Sequence, residues 1–239
     1  MEKISVQKLK YLRSLKQKKI RLNEKKIIIE GDKIIQEAVR FFPKSISFIL
    51  VTNEHDGTQY PVETLQCSIS EMQKISSHIN PPDAVALIST TFQNEINYKN
   101  KIVILDDIQD PGNLGTIIRT CDWFGVDRVL CSTNTVDVFN AKVIQSTMGS
   151  IFRVRIEYVD IYDFIEKSSI NIVAATMNGE DYTEYNWSKV DAVVLGNEGK
   201  GISSKILPLI NSKIAIPRVG KAESLNVSIA AGIILSKWI

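Results

Sequence analysis

Short apolar runs alternate along the chain with stretches in which apolar residues recur every three or four positions. A short apolar run predicts a buried strand, and the three-to-four spacing predicts an amphipathic helix. In the first part of the chain these patterns predict helices at 6–19, 31–42 and 70–77, and strands at 27–29, 46–51, 62–69 and 84–89. The alternation is typical of a small α/β domain.

The second part of the chain repeats the α/β alternation. Helices are predicted at 114–124, 140–147, 160–168, 202–210 and 226–238, and strands at 102–106, 127–131, 151–156, 171–176, 191–195 and 213–216. Strands that alternate with helices favour a parallel sheet with crossover helices. Because the polar segment 94–100 has no regular period, we place a domain boundary there and expect domains at 1–95 and 96–239.

Composition favours a cytoplasmic protein without a metal centre or a disulfide framework. The chain has 239 residues, of which 44% are hydrophobic, so it can bury a core, and no apolar run approaches the ~20 residues of a membrane span. The N-terminus is charged, unlike a secretory signal. The three cysteines lack metal-ligand spacing, and the two histidines do not lie near a glycine-rich elbow, which argues against nucleophilic catalysis.

Positive charge is concentrated at the N-terminus. Residues 1–26 hold ten Lys or Arg against two Glu, a net charge of +8 in a chain whose total is +2. Two interpretations remain open. The segment is either an arm that binds a polyanion such as RNA, or the solvated side of a helix whose Leu9, Leu12 and Leu15 point inward.

The strand predicted at 102–106 leads through a Pro/Gly turn into a helix. Asp110-Pro111-Gly112 stops the strand, Asn113 lies in the turn, and Arg119 faces away from the apolar stripe of the helix. Open α/β sheets bind ligands at the carboxyl ends of their strands. The pattern therefore indicates an amide and a guanidinium at a ligand site, and the alternative is a surface Asn with a solvated Arg.

A glycine-rich turn follows the strand predicted at 191–195. Glycines in segment 196–203 permit positive φ and close approach of backbone amides to a ligand. The glycine order differs from the Rossmann motif, and Ile202 stands where a Walker A motif requires lysine, so we exclude ATP and GTP binding. What remains is a backbone-lined pocket with one carboxylate, Glu198, or a plain turn with a solvated Glu.

A third turn, 216–228, joins the strand predicted at 213–216 to a helix of small residues. Ser224 and Asn226 are natural helix N-caps. Capping explains one of them, and the pair could also hold a ligand. The small residues 230–232 permit close backbone approach, either in ordinary packing or at a ligand.

Together the three turns resemble the three motifs of the SpoU (TrmH-type) branch of the SPOUT RNA methyltransferases. Segment 110–119 matches the first motif, 195–203 the second and 216–232 the third. The resemblance is close over 96–239. It is looser before that, where 27–39 resembles the opening of the family's ribosomal-protein-like substrate-binding domain.

The resemblance implies an α/β protein. Its C-terminal SPOUT domain would contain a parallel sheet and a deep trefoil knot, and a small α/β ribosomal-protein-like substrate-binding domain would precede it. General topology rules argue against knots, so this expectation rests on the family alone. The resemblance also implies a homodimer with the active site near its interface, and S-adenosylmethionine as methyl donor. The implied donor-binding residues are Thr176, Met177, Leu195, Gly196, Asn197, Gly199, Ile216, Ser224, Leu225 and Asn226.

The implied reaction transfers a methyl group from a sulfonium to a ribose 2′-oxygen of RNA. The implied catalytic residues are Asn113, Arg119, Glu198, Ser224 and Asn226. The sulfonium is an activated leaving group, so no metal is required, and the protein must align the reactants and handle the hydroxyl proton. A guanidinium is a poor base, so we favour Arg119 as a phosphate grip over Arg119 as a base in a strongly altered environment. Glu198 is expected to orient Arg119 or Asn113.

The ribosomal-protein-like module favours ribosomal RNA as the substrate, with transfer RNA as an alternative. A competing class is a non-catalytic RNA-binding or ribosome-assembly protein, and the intact polar set of the three motifs argues against it. A methyltransferase acting on small molecules or proteins is a third class, which the basic N-terminal segment disfavours.

Overall fold

The computed structural model describes residues 1–57, 60–96 and 101–239. Its helices are α1 (Val6–Ser14), α2 (Lys18–Glu24), α3 (Asp32–Phe41), α4 (Ile69–Ile75), α5 (Pro111–Trp123), α6 (Ala141–Thr147), α7 (Ile161–Lys167) and α8 (Val227–Trp238). Its strands are β1 (Glu2–Lys3), β2 (Lys26–Glu30), β3 (Ile46–Thr52), β4 (Thr64–Cys67), β5 (Ala84–Ser89), β6 (Ile102–Leu105), β7 (Arg128–Ser132), β8 (Arg155–Val159), β9 (Ile172–Asp181), β10 (Ala192–Leu195) and β11 (Ser212–Ala215).

The chain divides into two compact units. The first comprises Met1–Ile96 and Phe139–Phe152, and the second comprises Asn97–Val138 and Arg153–Ile239. This division differs from the expected domains 1–95 and 96–239 because Phe139–Phe152 belongs to the first unit. Of the boundary segment expected at 94–100, residues 97–100 lie outside the described residues.

The described part of the first unit contains a mixed sheet in the order β1-β4-β3-β5-β2. Strands β2 and β3 pair antiparallel with β5, and β4 pairs parallel with both β1 and β3. Helices α1 and α4 cover a core that includes Leu12, Leu15 and Met72. The expected α/β character of this unit is therefore present.

The single helix predicted at 6–19 is wrong, because the chain forms two helices there. Gln17 adopts an extended conformation between α1 and α2, and the Arg21 Nη1 atom donates to the backbone oxygens of Leu15 and Lys16. The bend lets Leu15 enter the core while Ile20 packs against the same core from α2. A continuous helix would carry the chain away from β2.

An aromatic cluster explains why Phe139–Phe152 belongs to the first unit. The Phe92 ring lies 5.0 Å from Phe152 and 6.3 Å from Phe139, measured between centroids. Gln93 Nε2 donates to the backbone oxygen of Ile151 at 2.8 Å. Residues 150–152 form a short 3-10 turn, so the strand predicted at 151–156 is wrong in its first half and β8 starts at Arg155.

The second unit is built on a parallel sheet, as predicted. Among the described residues its strand order is β11-β9-β10-β6-β7-β8, and every neighbouring pair is parallel. The central strands β6 and β10 are buried along their whole length, which explains their unbroken apolar sequences. Helices α5 and α8 pack against each other.

The helix predicted at 202–210 is wrong. The chain forms turns there, followed by a 3-10 segment at Leu207–Leu209 with Pro208 in its first turn. Pro208 has no backbone N–H and cannot continue an α-helical ladder. Turns still bury Ile206 and Ile210, which accounts for the apolar spacing. None of the helices in the described ranges combines the length and apolar character that crossing a bilayer requires.

Candidate active site

The three motif turns leave the same edge of the second unit's sheet. Because β6, β10 and β11 belong to one parallel sheet, their carboxyl ends lie on the same side. The turn after β6 spans 106–110, the turn after β10 spans 196–203, and the turn after β11 spans 216–226. This edge is where parallel sheets bind ligands.

The first turn presents Asn113 from the opening of α5. Asp110 caps the helix by accepting the Asn113 backbone N–H at 2.9 Å, and Pro111 occupies the first helical position. Leu114, Ile117 and Ile118 are buried, so the helix is held by its apolar side and its polar side is free to line the edge of the sheet.

Three amide and carboxylate side chains form a hydrogen-bonded chain across the three turns. Asn113 Nδ2 donates to Glu198 Oε1 at 2.7 Å, and Asn226 Nδ2 donates to Asn113 Oδ1 at 2.9 Å. An ionised carboxylate only accepts hydrogen bonds, so the Asn113 amide has one possible orientation. We call this set the Asn226–Asn113–Glu198 chain. Its members lie 85 and 113 positions apart in sequence.

Asn226 has a second contact that fixes the start of α8. Its Oδ1 atom accepts the backbone N–H of Ser228 at 2.8 Å and the Ser228 hydroxyl at 2.6 Å. The side chain therefore caps the helix with its oxygen and reaches Asn113 with its nitrogen. The capping and binding interpretations of Asn226 are compatible for this reason.

Arg119 lies apart from the Asn226–Asn113–Glu198 chain. It is exposed on α5, and among the described residues it makes no hydrogen bond or ion pair. Glu198 was expected to contact Arg119 or Asn113, and the structure shows the hydrogen bond to Asn113. The guanidinium is available to an anion from outside the protein, and Arg binds phosphate well because its planar fork matches two oxygens.

Asn197 holds the second turn together through nearly all of its polar atoms. Its backbone N–H and C=O both pair with Gly201, its Oδ1 atom accepts the backbone N–H groups of Gly199 and Lys200, and its Nδ2 atom donates to Asp107 O at 2.8 Å. Asn197 is also one of the predicted donor-binding residues, and its side chain is hydrogen-bonded within the turn. Gly196 is obligatory because a Cβ there would lie 2.3 Å from the backbone of Gly201.

The sequence prediction missed Asp106 and Asp107, which connect the first and second turns. Asp106 is buried and its Oδ2 atom accepts the Ser203 backbone N–H at 2.8 Å. Burial raises the pKa of the Asp106 carboxyl, the Ser203 hydrogen bond opposes that shift, and the Asp107 charge adds to it. Asp107 has φ of +59°. The sequence signal that could have identified them is the pair of acidic residues directly after a buried strand.

The remaining predicted donor-binding residues lie at the carboxyl ends of three neighbouring strands. Thr176 and Met177 are in the middle of β9, just after the residues that pair with β10, Leu195 ends β10, and Ile216 follows β11. Met177 is 57% exposed and Leu225 is 46% exposed, so both apolar side chains are accessible beside the polar turns. Exposed apolar groups next to backbone amides fit a ligand with a flat base and a polar sugar.

Ser224 and Gly199 complete the set of predicted site residues. Ser224 is exposed in the turn before α8, and Gly199 is exposed in the glycine turn, where its N–H is used by Asn197. No hydrogen bond joins Ser224 to the Asn226–Asn113–Glu198 chain among the described residues. Within the same residues, no three His, Cys, Asp or Glu side chains form a metal-binding group.

Comparison with known families matches both parts of the chain. The model of the SpoU rRNA Methylase family matches residues 100–236. The model of the MRM3-like substrate binding domain matches residues 7–86. The three motif turns all lie inside the first match.

Three relatives illustrate the similarity. The chain is 32% identical over 202 residues to the 23S rRNA (guanosine(2553)-2'-O)-methyltransferase RlmP of Bacillus subtilis, covering 81% of this chain and 80% of that protein. It is 33% identical over 137 residues to the tRNA (guanosine(18)-2'-O)-methyltransferase of Thermus thermophilus, covering 56% and 71%. The crystal structure of an AdoMet-bound rRNA methyltransferase from Sinorhizobium meliloti matches with a TM-score of 0.84 at 27% identity, covering 100% of this chain and 97% of that chain.

Proposed function

The chain belongs to the SpoU rRNA methylase family, as an RNA ribose-2′-O-methyltransferase that uses S-adenosylmethionine, and we propose that its substrate is ribosomal RNA. The observation that carries the assignment is the Asn226–Asn113–Glu198 chain, which joins the three motif turns at one edge of the sheet. A non-catalytic relative would have no need to keep these three polar groups in register.

The extent of the matches supports ribosomal RNA over transfer RNA. The 202-residue match to the 23S rRNA enzyme is too long to lie within the second unit alone, so it includes part of the first. The match to the tRNA enzyme covers 56% of this chain. The first unit contains the match to the substrate-binding domain model, which is the part expected to select the RNA. Transfer RNA remains the alternative substrate.

The donor would be held at the carboxyl ends of β9, β10 and β11. The proposed binding residues are Thr176, Met177, Leu195, Gly196, Asn197, Gly199, Ile216, Ser224, Leu225 and Asn226, and Asn197 also holds the glycine turn in shape. When bound, S-adenosylmethionine supplies a methyl group activated on a sulfonium. All other chemistry falls to the chain's own residues.

The protein's residues position the ribose and stabilise charge on its oxygen. Glu198 holds the Asn113 amide through a charge-assisted bond, and Asn113 and Ser224 offer hydrogen bonds to the sugar. Arg119 binds a phosphate beside the target ribose and stabilises the negative charge that develops on the ribose 2′-oxygen. A guanidinium keeps its proton, so it acts by charge and not as a base, and the ribose hydroxyl releases its proton to solvent water as the methyl group is transferred.

We also propose that the protein acts in the cytoplasm as a homodimer whose second unit contains a deep trefoil knot. Support for the dimer comes from α5 and α8, which pack together and leave large apolar side chains in solvent. Trp123 on α5 is 84% exposed and Ile229 on α8 is 55% exposed. Exposed apolar residues of this size on adjacent helices mark an interaction surface. Arg119 lies on the same α5 helix, so the dimer interface would border the active site.

The function is tested with labelled S-adenosylmethionine, a 23S rRNA transcript and a tRNA transcript. We expect methyl incorporation into the 23S transcript at one ribose, mapped as an alkali-resistant position. Arg119→Ala should lower the rate at least about 100-fold, the size seen when a transition-state donor is removed, while donor binding by calorimetry stays intact. Lys189→Ala, which removes an exposed charge elsewhere in the second unit, should leave the rate unchanged.

Two outcomes would overturn the proposal. Methylation of the tRNA transcript alone would establish the alternative substrate. Tight RNA binding with donor bound and no methyl transfer to either RNA would favour the non-catalytic class.

A further inference from the structure

The basic side chains of residues 6–25 divide into two groups by their contacts. One group is engaged inside the first unit. Lys8 pairs with Glu63 at 3.5 Å, Lys16 Nζ donates to Ser76 O at 2.8 Å, and Arg21 Nη1 donates to backbone oxygens at the end of α1. These three cations are therefore already engaged within the first unit.

The second group is exposed and makes no hydrogen bond or ion pair with the described residues. It consists of Lys10, Arg13, Lys18, Lys19 and Lys25, which we call the α1–α2 cation group. The nearby Glu24 carboxylate accepts a hydrogen bond from Tyr11 at 3.2 Å and is partly used. The group therefore projects almost uncompensated positive charge.

The α1–α2 cation group is mounted on a fixed support. Arg21 joins the two helices at their connection, and the bond between Tyr11 and Glu24 joins them again one helix length away. Because the two helices are fixed to each other, only the side chains of the group must order when a ligand binds, which favours recognition.

A loop with an exposed apolar tip lies beside the connection between the two helices. Lys16 donates a hydrogen bond to the backbone oxygen of Ser76 at the start of this loop. The buried Glu30 carboxylate fixes the next residue of the loop, because it accepts hydrogen bonds from the backbone N–H and the hydroxyl of Ser77 at 2.9 and 2.7 Å. Ile79, at the tip, is 98% exposed. An isoleucine fully in solvent on a tethered loop is available to a partner.

We propose that the α1–α2 cation group binds the phosphate backbone of the RNA substrate and that Ile79 packs against an unstacked base beside it. Phosphates supply most of the affinity in protein–nucleic acid binding, and RNA is recognised where its bases are splayed out. The inference rests on the proposed function. A membrane surface is a poor partner, because the apolar side of α1 is already buried: Leu12 is 1% exposed and Leu15 is 2% exposed.

The cation part is tested by measuring the salt dependence of binding to a 23S rRNA transcript. Lys10→Ser/Arg13→Ser and Lys18→Ser/Lys19→Ser each remove two charges. Each pair should weaken binding about tenfold at low salt and reduce the slope of log K against log salt by roughly 1.5, since each phosphate contact contributes about 0.7 to 0.9. The control Lys44→Ser/Lys189→Ser removes two exposed charges outside the group and should match the wild type.

The Ile79 part has a different signature. Ile79→Ser should weaken binding about three- to tenfold, the size expected for partial burial of one isoleucine, and leave the salt slope unchanged. Unchanged affinity in this variant would refute the base contact. Equal slopes for the charge pairs and the control would refute the phosphate contact.

These results are separable from those that test the proposed function. Binding is measured without methyl transfer, so a wild-type protein that binds RNA but transfers no methyl would overturn the proposed function and not this surface. In methylation assays the charge pairs should raise KM for RNA and leave kcat at saturating RNA unchanged. A lowered kcat with unchanged KM would overturn the assignment of these residues to RNA binding.

Discussion

Glu198→Ala should cost the enzyme activity through the orientation of Asn113. In the structure Asn113 Nδ2 donates to Glu198 Oε1 at 2.7 Å, and the other end of the same amide accepts from Asn226 at 2.9 Å. Without the carboxylate, only the bond from Asn226 orients the Asn113 amide, so the amide nitrogen loses the partner that fixes its position beside the ribose. The predicted defect is therefore one of positioning, in a site whose other groups remain in place.

The size of the effect follows from the kind of bond that is lost. A hydrogen bond to a charged group contributes about 1.5 to 3 kcal/mol and a neutral one about 0.5 to 1.5. Taking about 2 kcal/mol for a half-buried carboxylate, Glu198→Ala should lower kcat/KM about 30-fold. Glu198→Gln keeps an acceptor oxygen and loses only the charge, so about 1 kcal/mol and about fivefold are expected.

The assay is a double-mutant cycle on kcat/KM with labelled donor and the methylated RNA. If Glu198 acts through Asn113, then Glu198→Ala in an Asn113→Ala background should have little further effect, a coupling of about 2 kcal/mol. Asn226→Ser is the matched control for the third member, because serine retains the cap of α8 but is too short to reach Asn113. Strictly additive effects of Glu198→Ala and Asn113→Ala would refute the positioning role, and strong coupling to Arg119 would reassign it.

Three further predictions concern neighbouring features. Gly196→Ala should destabilise the protein by more than about 2 kcal/mol and abolish donor binding, because its Cβ would lie 2.3 Å from backbone, whereas Gly220→Ala has no atom within 4 Å of the new Cβ and should unfold at the wild-type temperature. The pKa of Asp106 is raised in the folded state, so the folded state holds the proton more tightly than the unfolded state. The contribution of Asp106 to stability therefore falls as pH rises from its unfolded pKa to its folded pKa. Relative to wild type, Asp106→Asn should gain stability across that interval, and a pH-independent difference in denaturation midpoints would contradict this. Trp123→Asp should convert the proposed dimer to monomers in sedimentation velocity, and an unchanged sedimentation coefficient would exclude α5 from the interface.

The sequence predicted the fold well where local pattern and final burial coincide. Strands β6 and β10 are apolar at every position and are buried at every position, so their prediction as buried strands followed from the local sequence alone. The pattern failed where a distant contact decides the local structure. The aromatic contacts of Phe92 connect residues 139–152 to the first unit. The hydrogen bond from Arg21 to the backbone oxygen of Lys16 lies at the break between α1 and α2.

The candidate site shows the same division. Asn113, Glu198 and Asn226 came from the resemblance of whole motifs, and the structure joins them by side-chain bonds. The internal role of Asn197 and the buried contact of Asp106 depend on partners about 90 positions away, and no local pattern encodes such pairs. Residues that fix the shape of a site are harder to predict than residues that line it, because their hydrogen-bond partners are distant residues of the same protein.

The far end of α8 should matter to the active site as much as the near end. Asn226 begins this helix, and at its other end Lys101 Nζ donates to Trp238 O at 2.9 Å and lies 4.8 Å from the centroid of the Trp238 ring. Trp238 Nε1 in turn donates to Val190 O, just before β10. Helix α8 has 12 residues and moves as a rigid element, so the loss of the contacts at Trp238 should also shift its start at Asn226.

We therefore expect Lys101→Met, which keeps the stem and removes the ammonium, to cost about 1 to 2 kcal/mol of stability and to lower kcat/KM several-fold although Lys101 contacts no substrate. Lys167→Met is the matched control, because Lys167 is an exposed lysine whose ion-pair partner, Asp163, lies on the same helix. The decisive readout is amide hydrogen exchange at the start of α8. Faster exchange there in Lys101→Met, absent from the control, would show that the anchor at Trp238 fixes Asn226. Unchanged exchange at 226–230 with reduced stability would mean that the anchor serves the fold alone.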